Sequence, residues 1–221
     1  MTEQCSESVK KGYFITIEGP EGAGKSSCAR ILSSHLESLG YQVICTREPG
    51  GTPFAEKLRE AVKAKPDDGE FVYPETELLL MEAARAQHVR GKILPALRAG
   101  YAVICDRFTD STCAYQGGAR RMDMEIIRQL NDFACAGCVP DLTFLLDLPP
   151  ETGFERVAKR ASKDAENDRF EAEALEFHRK VRESFLALAK SYPQRIKVID
   201  ASRPLPEVTE QVEAVANEFI R

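Results

Sequence analysis

The sequence predicts an α/β fold, a five-stranded parallel sheet flanked by helices on both faces. Three observations predict it. Five short apolar runs alternate with helical stretches, the pattern of strands covered on both sides. The first run leads straight into Gly19-Pro-Glu-Gly-Ala-Gly-Lys25-Ser26, the spacing of a phosphate-binding loop between a strand and a helix. The remaining polar and glycine-rich motifs stand just after the apolar runs, at the carboxyl ends of the strands, where such sheets bind ligands.

Phe14–Glu18 is the first strand. Gly19, Pro20, Glu21, Gly22, Ala23, Gly24, Lys25, Ser26 and Ser27 then form a nucleotide-binding loop. Its glycines let successive backbone N–H groups point into one concavity, and the helix behind them adds the positive end of its dipole. Lys25 suits the β- and γ-phosphates, and the Ser26 hydroxyl suits Mg²⁺. Residues 43–46 form the second strand, with 47–52 at its end, and 65–69 read as a turn. A helix is expected over 78–90. Ala102–Asp106 is the third strand, and Arg107 follows it immediately. Asp106 stands where P-loop proteins place an acid that holds Mg²⁺, and Arg107 offers a guanidinium for bidentate phosphate contact. Gly117-Gly118 reads as an interruption. Leu142–Asp147 is the fourth strand. The charged stretch 156–169 lies between helical stretches, 175–190 is an amphipathic helix, and 196–199 is the fifth strand. Pro204 and Pro206 precede a short C-terminal helix. Residues 1–11 form a tail, and 12–221 form one domain.

The 221 residues are 43% hydrophobic and 29% charged, enough for one core of ordinary size. A net charge of −5 gives no basic footprint for nucleic acid. No apolar run approaches the ~20 residues that span a bilayer. The polar start carries no secretory signal, and seven cysteines are an odd count, so reduced thiols and a cytoplasmic location are expected. Cys135 and Cys138 have C-x-x-C spacing but no second pair at ligand distance, and they read as structural. His35, His88 and His178 stand apart and receive no metal role.

Three segments together resemble bacterial thymidylate kinase: residues 18–26, Thr46-Arg-Glu-Pro-Gly-Gly-Thr52, and Asp106-Arg-Phe-Thr-Asp-Ser-Thr-Cys-Ala-Tyr-Gln-Gly117. Residues 140–147 and Asp168-Arg-Phe-Glu171 extend the resemblance over about 12–203. It implies the P-loop nucleoside monophosphate kinase fold and transfer of phosphate from ATP, with Mg²⁺, to dTMP. It also implies a homodimer and a lid at about 154–171. By this resemblance Glu21 contacts the dTMP sugar hydroxyl and Glu48 lies near the monophosphate. Arg59 and Arg107 hold the dTMP phosphate, Arg85 meets a thymine carbonyl, and Thr112 and Gln116 make polar contacts to the base. Tyr115 walls the sugar. Met81 stands where the family usually has a Phe that stacks on thymine; it shares a helical face with Arg85 but lacks a flat ring. Ala23 replaces an arginine found in the loop of some relatives, which moves the catalytic arginine to the lid, with Arg160 the first choice and Arg156 the second. Two alternatives stay open: a pyrimidine monophosphate kinase of broader range, and a nucleotide-binding protein without catalysis.

Overall fold

The computed structural model describes residues 12–64, 70–160 and 173–220. The expected tail, the turn at 65–69 and the second half of the expected lid, with Arg169, lie outside the described residues.

Five parallel strands, β1 (Phe14–Glu18), β2 (Val43–Arg47), β3 (Ala102–Asp106), β4 (Leu142–Asp147) and β5 (Ile196–Asp200), lie in the order β2-β3-β1-β4-β5. The strand that carries the phosphate loop is therefore central. Ile17 pairs with Asp106 on one side and with Phe144 on the other, which brings the ends of β1 and β3 level.

Alternate residues of β1 feed opposite layers. Ile15 and Ile17 pack with Leu32 and Leu36 of α1 (Lys25–Ser38) and with Val212 and Ala216 of α9 (Leu205–Phe219). Phe14 faces the other way, onto Val89, Ile93 and Phe108. Each such fully buried side chain contributes roughly 1.5–3 kcal/mol. The helices between are α2 (Pro53–Lys63), α3 (Pro74–His88), α4 (Leu94–Arg98), α5 (Thr109–Thr112), α6 (Met124–Cys135), α7 (Pro150–Arg160) and α8 (Leu175–Ser191).

The strands match expectation to within one residue. Three helical expectations need correction. The C-terminal helix is not short: α9 runs 15 residues, because Val208, Val212 and Ala216 give it an apolar stripe against the core. The first part of the charged stretch is helical, as the end of α7. Gly117-Gly118 does not interrupt the chain; both glycines sit in a π-helical segment, Cys113–Ala119. They are there for close approach. A Cβ at Gly118 would lie 1.8 Å from Ser184 Oγ of α8.

Candidate active site

The phosphate loop follows from local backbone demands. Gly22 and Gly24 have φ of 73° and 93°, a region that L side chains rarely adopt. At Gly22 space adds a second demand, because a Cβ there would meet the Gly153 carbonyl of α7 at 2.3 Å. Gly24 opens α1 with no side-chain cap, so no capping side chain competes with an anion for the first-turn amides. Lys25 is buried, and its ammonium donates to the carbonyls of Gly19 at 3.2 Å and Pro20 at 2.8 Å. Burial, then the Arg107 charge, lowers its pKa. Ala23 turns inward into the core instead of facing the cleft.

A cleft of about 360 Å³ opens beside this loop. Among its lining residues are Glu21, Gly22, Gly24, Lys25, Ser26, Ser27, Glu48, Arg59, Met81, Arg85, Asp106, Arg107, Thr112, Tyr115 and Gln116. The structure thus brings together residues from the loop after β1, the start of α1, the loop after β2, α2, α3, the end of β3 and the segment after it. Arg47, Lys63, Phe108, Ser111 and Val157, to which the sequence alone assigns no role, also line it.

Arg107 adopts φ 69°, rare for a side chain with a Cβ. Its guanidinium donates to Glu21 Oε1 at 2.5 Å, to the Gly19 carbonyl at 3.1 Å and to Ser111 Oγ at 3.2 Å. It also lies 5.2 Å from the Tyr115 ring centroid. Burial works to raise the Glu21 pKa, but the Arg107 and Lys25 charges prevail and hold it at about 2. Tyr115 is pushed upward by burial. Glu18, at the end of β1, supports the same unit. It accepts from the Phe108 amide at 2.7 Å and from Ser111 Oγ at 2.6 Å. Burial, then the Asp110 charge, pushes its pKa up to about 8. Asp110 in turn takes two hydrogen bonds from Arg195, at 2.6 and 2.9 Å.

Arg85 anchors the other end. Its Nε donates to Glu48 Oε2 at 2.8 Å, its Nη1 to Asn131 Oδ1 at 2.6 Å and to Glu82 Oε1, and its Nη2 to Thr112 Oγ1 at 3.0 Å. Glu48 Oε1 meets His88 Nδ1 at 3.0 Å, and His88 Nε2 meets Thr46 Oγ1 at 2.8 Å. Both Glu48 oxygens are thus engaged, and its carboxylate holds Arg85 and His88. Burial raises the Glu82 pKa against the pull of Arg85. Arg59 reaches the Pro49 carbonyl at 2.8 Å from α2, a helix begun by Thr52 accepting from the Ala55 amide. Met81 packs partly buried against the cluster of Tyr115 and Phe185.

Asp106 Oδ1 is buried and has no hydrogen-bond partner among the described residues. With the Ser26 hydroxyl on the same cleft, this oxygen fits a hard cation that takes oxygen ligands.

Of the expected residues, Gly19, Pro20, Ala23 and Arg156 stand apart from the cleft lining. Arg156 Nη1 donates to the Ala201 carbonyl at 2.9 Å, toward the loop after β5. Arg160 ends α7, and its side chain lies outside the described residues. The sequence reading gave no part to Glu18, Ser111, His88, Glu82 or Asn131. Glu18 carried the one available signal, an acid closing an apolar strand. The six described cysteines are all unpaired, Cys135 and Cys138 included, and burial pushes these two up to about 12 and about 11. No described helix is long and apolar enough to cross a membrane.

The thymidylate kinase family model matches residues 17–212. A thymidylate kinase of Syntrophotalea carbinolica is 48% identical over 90% of this chain and 93% of its own length. One of Clostridium novyi is 43% identical, over 92% of this chain and 98% of its own. Among solved structures, the thymidylate kinase of Ehrlichia chaffeensis aligns with a TM-score of 0.73 at 32% identity, covering 93% of this chain and 98% of that one.

Proposed function

The chain belongs to the thymidylate kinase family, and from that premise we propose how its cleft residues divide the work. The protein is an ATP-dependent phosphotransferase that converts dTMP to dTDP. One observation carries the division of labour: Arg107 is tied at once to the phosphate loop, through Gly19 and Glu21, and to the segment after β3, through Ser111.

The donor phosphates lie on the loop over residues 19–27, held by those of its backbone N–H groups that are not engaged within the loop, with Lys25 as their cation. Arg59 and Arg107 hold the acceptor phosphate from two sides. Glu21 takes a hydrogen bond from the sugar hydroxyl, and Tyr115 walls the sugar. Arg85, Thr112 and Gln116 read the base, against which Met81 packs its thioether. The attacking group is a phosphate oxygen, already largely ionised because the second phosphate pKa is about 6. No general base is required. The chain's task is in-line positioning and neutralisation of charge on the transferring group. Ser26 and Asp106 would hold Mg²⁺, which when bound neutralises charge on the donor phosphates. Arg160 supplies a further positive charge from α7, and Arg156 orients the loop after β5.

The protein works as a single domain, with a lid over about 154–171, in the cytoplasm, where six unpaired cysteines would remain reduced. It pairs as a homodimer. In support, Phe54 of α2, Leu79 of α3, and Ile126 and Phe133 of α6 are exposed apolar side chains, and α3 packs on both α2 and α6.

Incubation with ATP, Mg²⁺ and dTMP, followed by chromatography, tests the reaction. Formation of dTDP matched by ADP is expected. ATP bound but no dTDP formed would leave a nucleotide-binding protein without catalysis.

A further inference from the structure

Gln116 is fully buried and lines the cleft. Its Nε2 donates to Glu77 Oε1 at 2.7 Å. Glu77 comes from the first turn of α3 and is itself buried. It also accepts from Arg120, with Nε at 3.4 Å and Nη2 at 3.1 Å. Arg120 is fixed further by Glu173 Oε1 at 2.7 Å and by the Phe177 ring, 4.8 Å away.

A carboxylate paired with a guanidinium only accepts hydrogen bonds. Glu77 therefore dictates which end of the Gln116 amide faces it, and that is the NH₂ end. The carbonyl end is turned away. Gln116 Oε1 is buried and has no hydrogen-bond partner among the described residues. The flipped amide would set two acceptors against each other in a buried place, where an unmet polar group is costly.

We propose that Glu77, held by Arg120, is a positioning residue that fixes the polarity of the Gln116 amide, so that the cleft meets the acceptor base with a hydrogen-bond acceptor. This rests on the reading of Gln116 as a base contact. Arg85 supplies the opposite polarity. A guanidinium has five N–H donors and no acceptor, and four of those donors are engaged, by Glu48, Glu82, Asn131 and Thr112. The fifth, on Nη2, is left for a ligand. An acceptor with a donor nearby matches the imide edge of thymine or uracil, where N3–H stands beside a carbonyl oxygen. Cytosine presents the reverse, a bare N3 beside an amino group. Arg85 cannot reverse its polarity; Gln116 can by rotating, unless Glu77 prevents it. Polarity matching of this kind discriminates far more strongly than a methyl group does.

The test is the ratio of kcat/KM for dTMP over dCMP, with dUMP as a control that shares the imide edge. Each ratio comes from one preparation, so the fraction of folded enzyme cancels. Glu77→Gln is expected to lower the dTMP/dCMP ratio by about 10-fold or more and to leave dTMP/dUMP unchanged. In a Gln116→Met background, Glu77→Gln is expected to change the dTMP/dCMP ratio no further. If Glu77→Gln does not fold, the double variant Glu77→Leu/Arg120→Leu removes both charges together, a replacement that buried pairs often tolerate, and the same fall is expected. An unchanged dTMP/dCMP ratio, in a protein whose wild type prefers dTMP, would overturn the proposal alone. So would a fall of equal size in the Gln116→Met background. A wild type that uses dCMP as well as dTMP would overturn the reading of the base site, and the proposal with it.

Discussion

Arg107 Nη2 donates to Glu21 Oε1 at 2.5 Å, joining an arginine that follows β3 to the acid inside the phosphate loop after β1. Neither strand end fixes the guanidinium alone. Glu21, the Gly19 carbonyl and Ser111 together set its place over the cleft. Arg107→Ala is therefore expected to lower kcat/KM for dTMP by about 10³-fold or more, the range for arginines that neutralise a transferring phosphoryl group. Steady-state kinetics measure it, and a loss below 10-fold would remove Arg107 from the phosphate site.

The proposed division of labour gives the two arginines of α7 different roles. Arg156 is engaged by the Ala201 carbonyl, so Arg156→Ala is expected to raise KM for ATP several-fold with a smaller effect on kcat. Arg160→Ala is expected to lower kcat by about 10³-fold, as for an arginine acting in the transition state, with little change in KM for dTMP. Unchanged turnover in Arg160→Ala would move the role to Arg156 or Lys159.

Glu48 is buried between Arg85 and His88. Glu48→Ala removes one partner of a buried ion pair, a change that costs about 3–5 kcal/mol. Urea unfolding is expected to register that loss. In whatever fraction folds, KM for dTMP should rise more than KM for ATP, because Arg85 loses its Nε acceptor. Stability within 1 kcal/mol of wild type, an order set by what exposed pairs contribute, would contradict the arrangement.

Glu18 predicts a pH dependence. Burial, then the Asp110 charge, raises its folded-state pKa from 4.5 to about 8, against Ser111, Arg107 and the Phe108 amide, which pull it down. Folding thus favours the protonated form. The stability this group supports is complete below about pH 4.5 and is lost as pH rises through 8. Gln cannot ionise, so Glu18→Gln should gain stability relative to wild type between pH 5 and pH 8. Glu21, held at about 2, acts in the opposite sense and only below about pH 4.5, outside this window. Urea midpoints at pH 5 and pH 8 measure the difference, and a constant gap between the two proteins would refute it.

Local patterns made the frame legible in the sequence. β1, β3 and β4 are continuous apolar runs buried on both faces, and the loop glycines answer a backbone demand visible in their own spacing. Asp106 and Arg107 were readable because Asp106 ends a strand and Arg107 follows it at once. The network around Arg85 was not, because Glu48, His88, Thr112 and Asn131 converge from separate elements only when the sheet order is known. Gly117-Gly118 misled because glycine marks a break or a close approach equally well, and only the position of Ser184 on α8 decides between them. Glu77 and Arg120 gave no sequence signal, since isolated charges on helices usually face water.

The most direct measurement is ADP release with ATP and Mg²⁺ across dTMP, dUMP, UMP, CMP, dGMP and AMP, with each product identified by chromatography. A strong preference for dTMP, yielding dTDP, is predicted, with Met81 serving in place of an aromatic ring. Comparable rates with the cytosine or purine monophosphates would contradict a cleft in which Arg85 and Gln116 read the thymine edge.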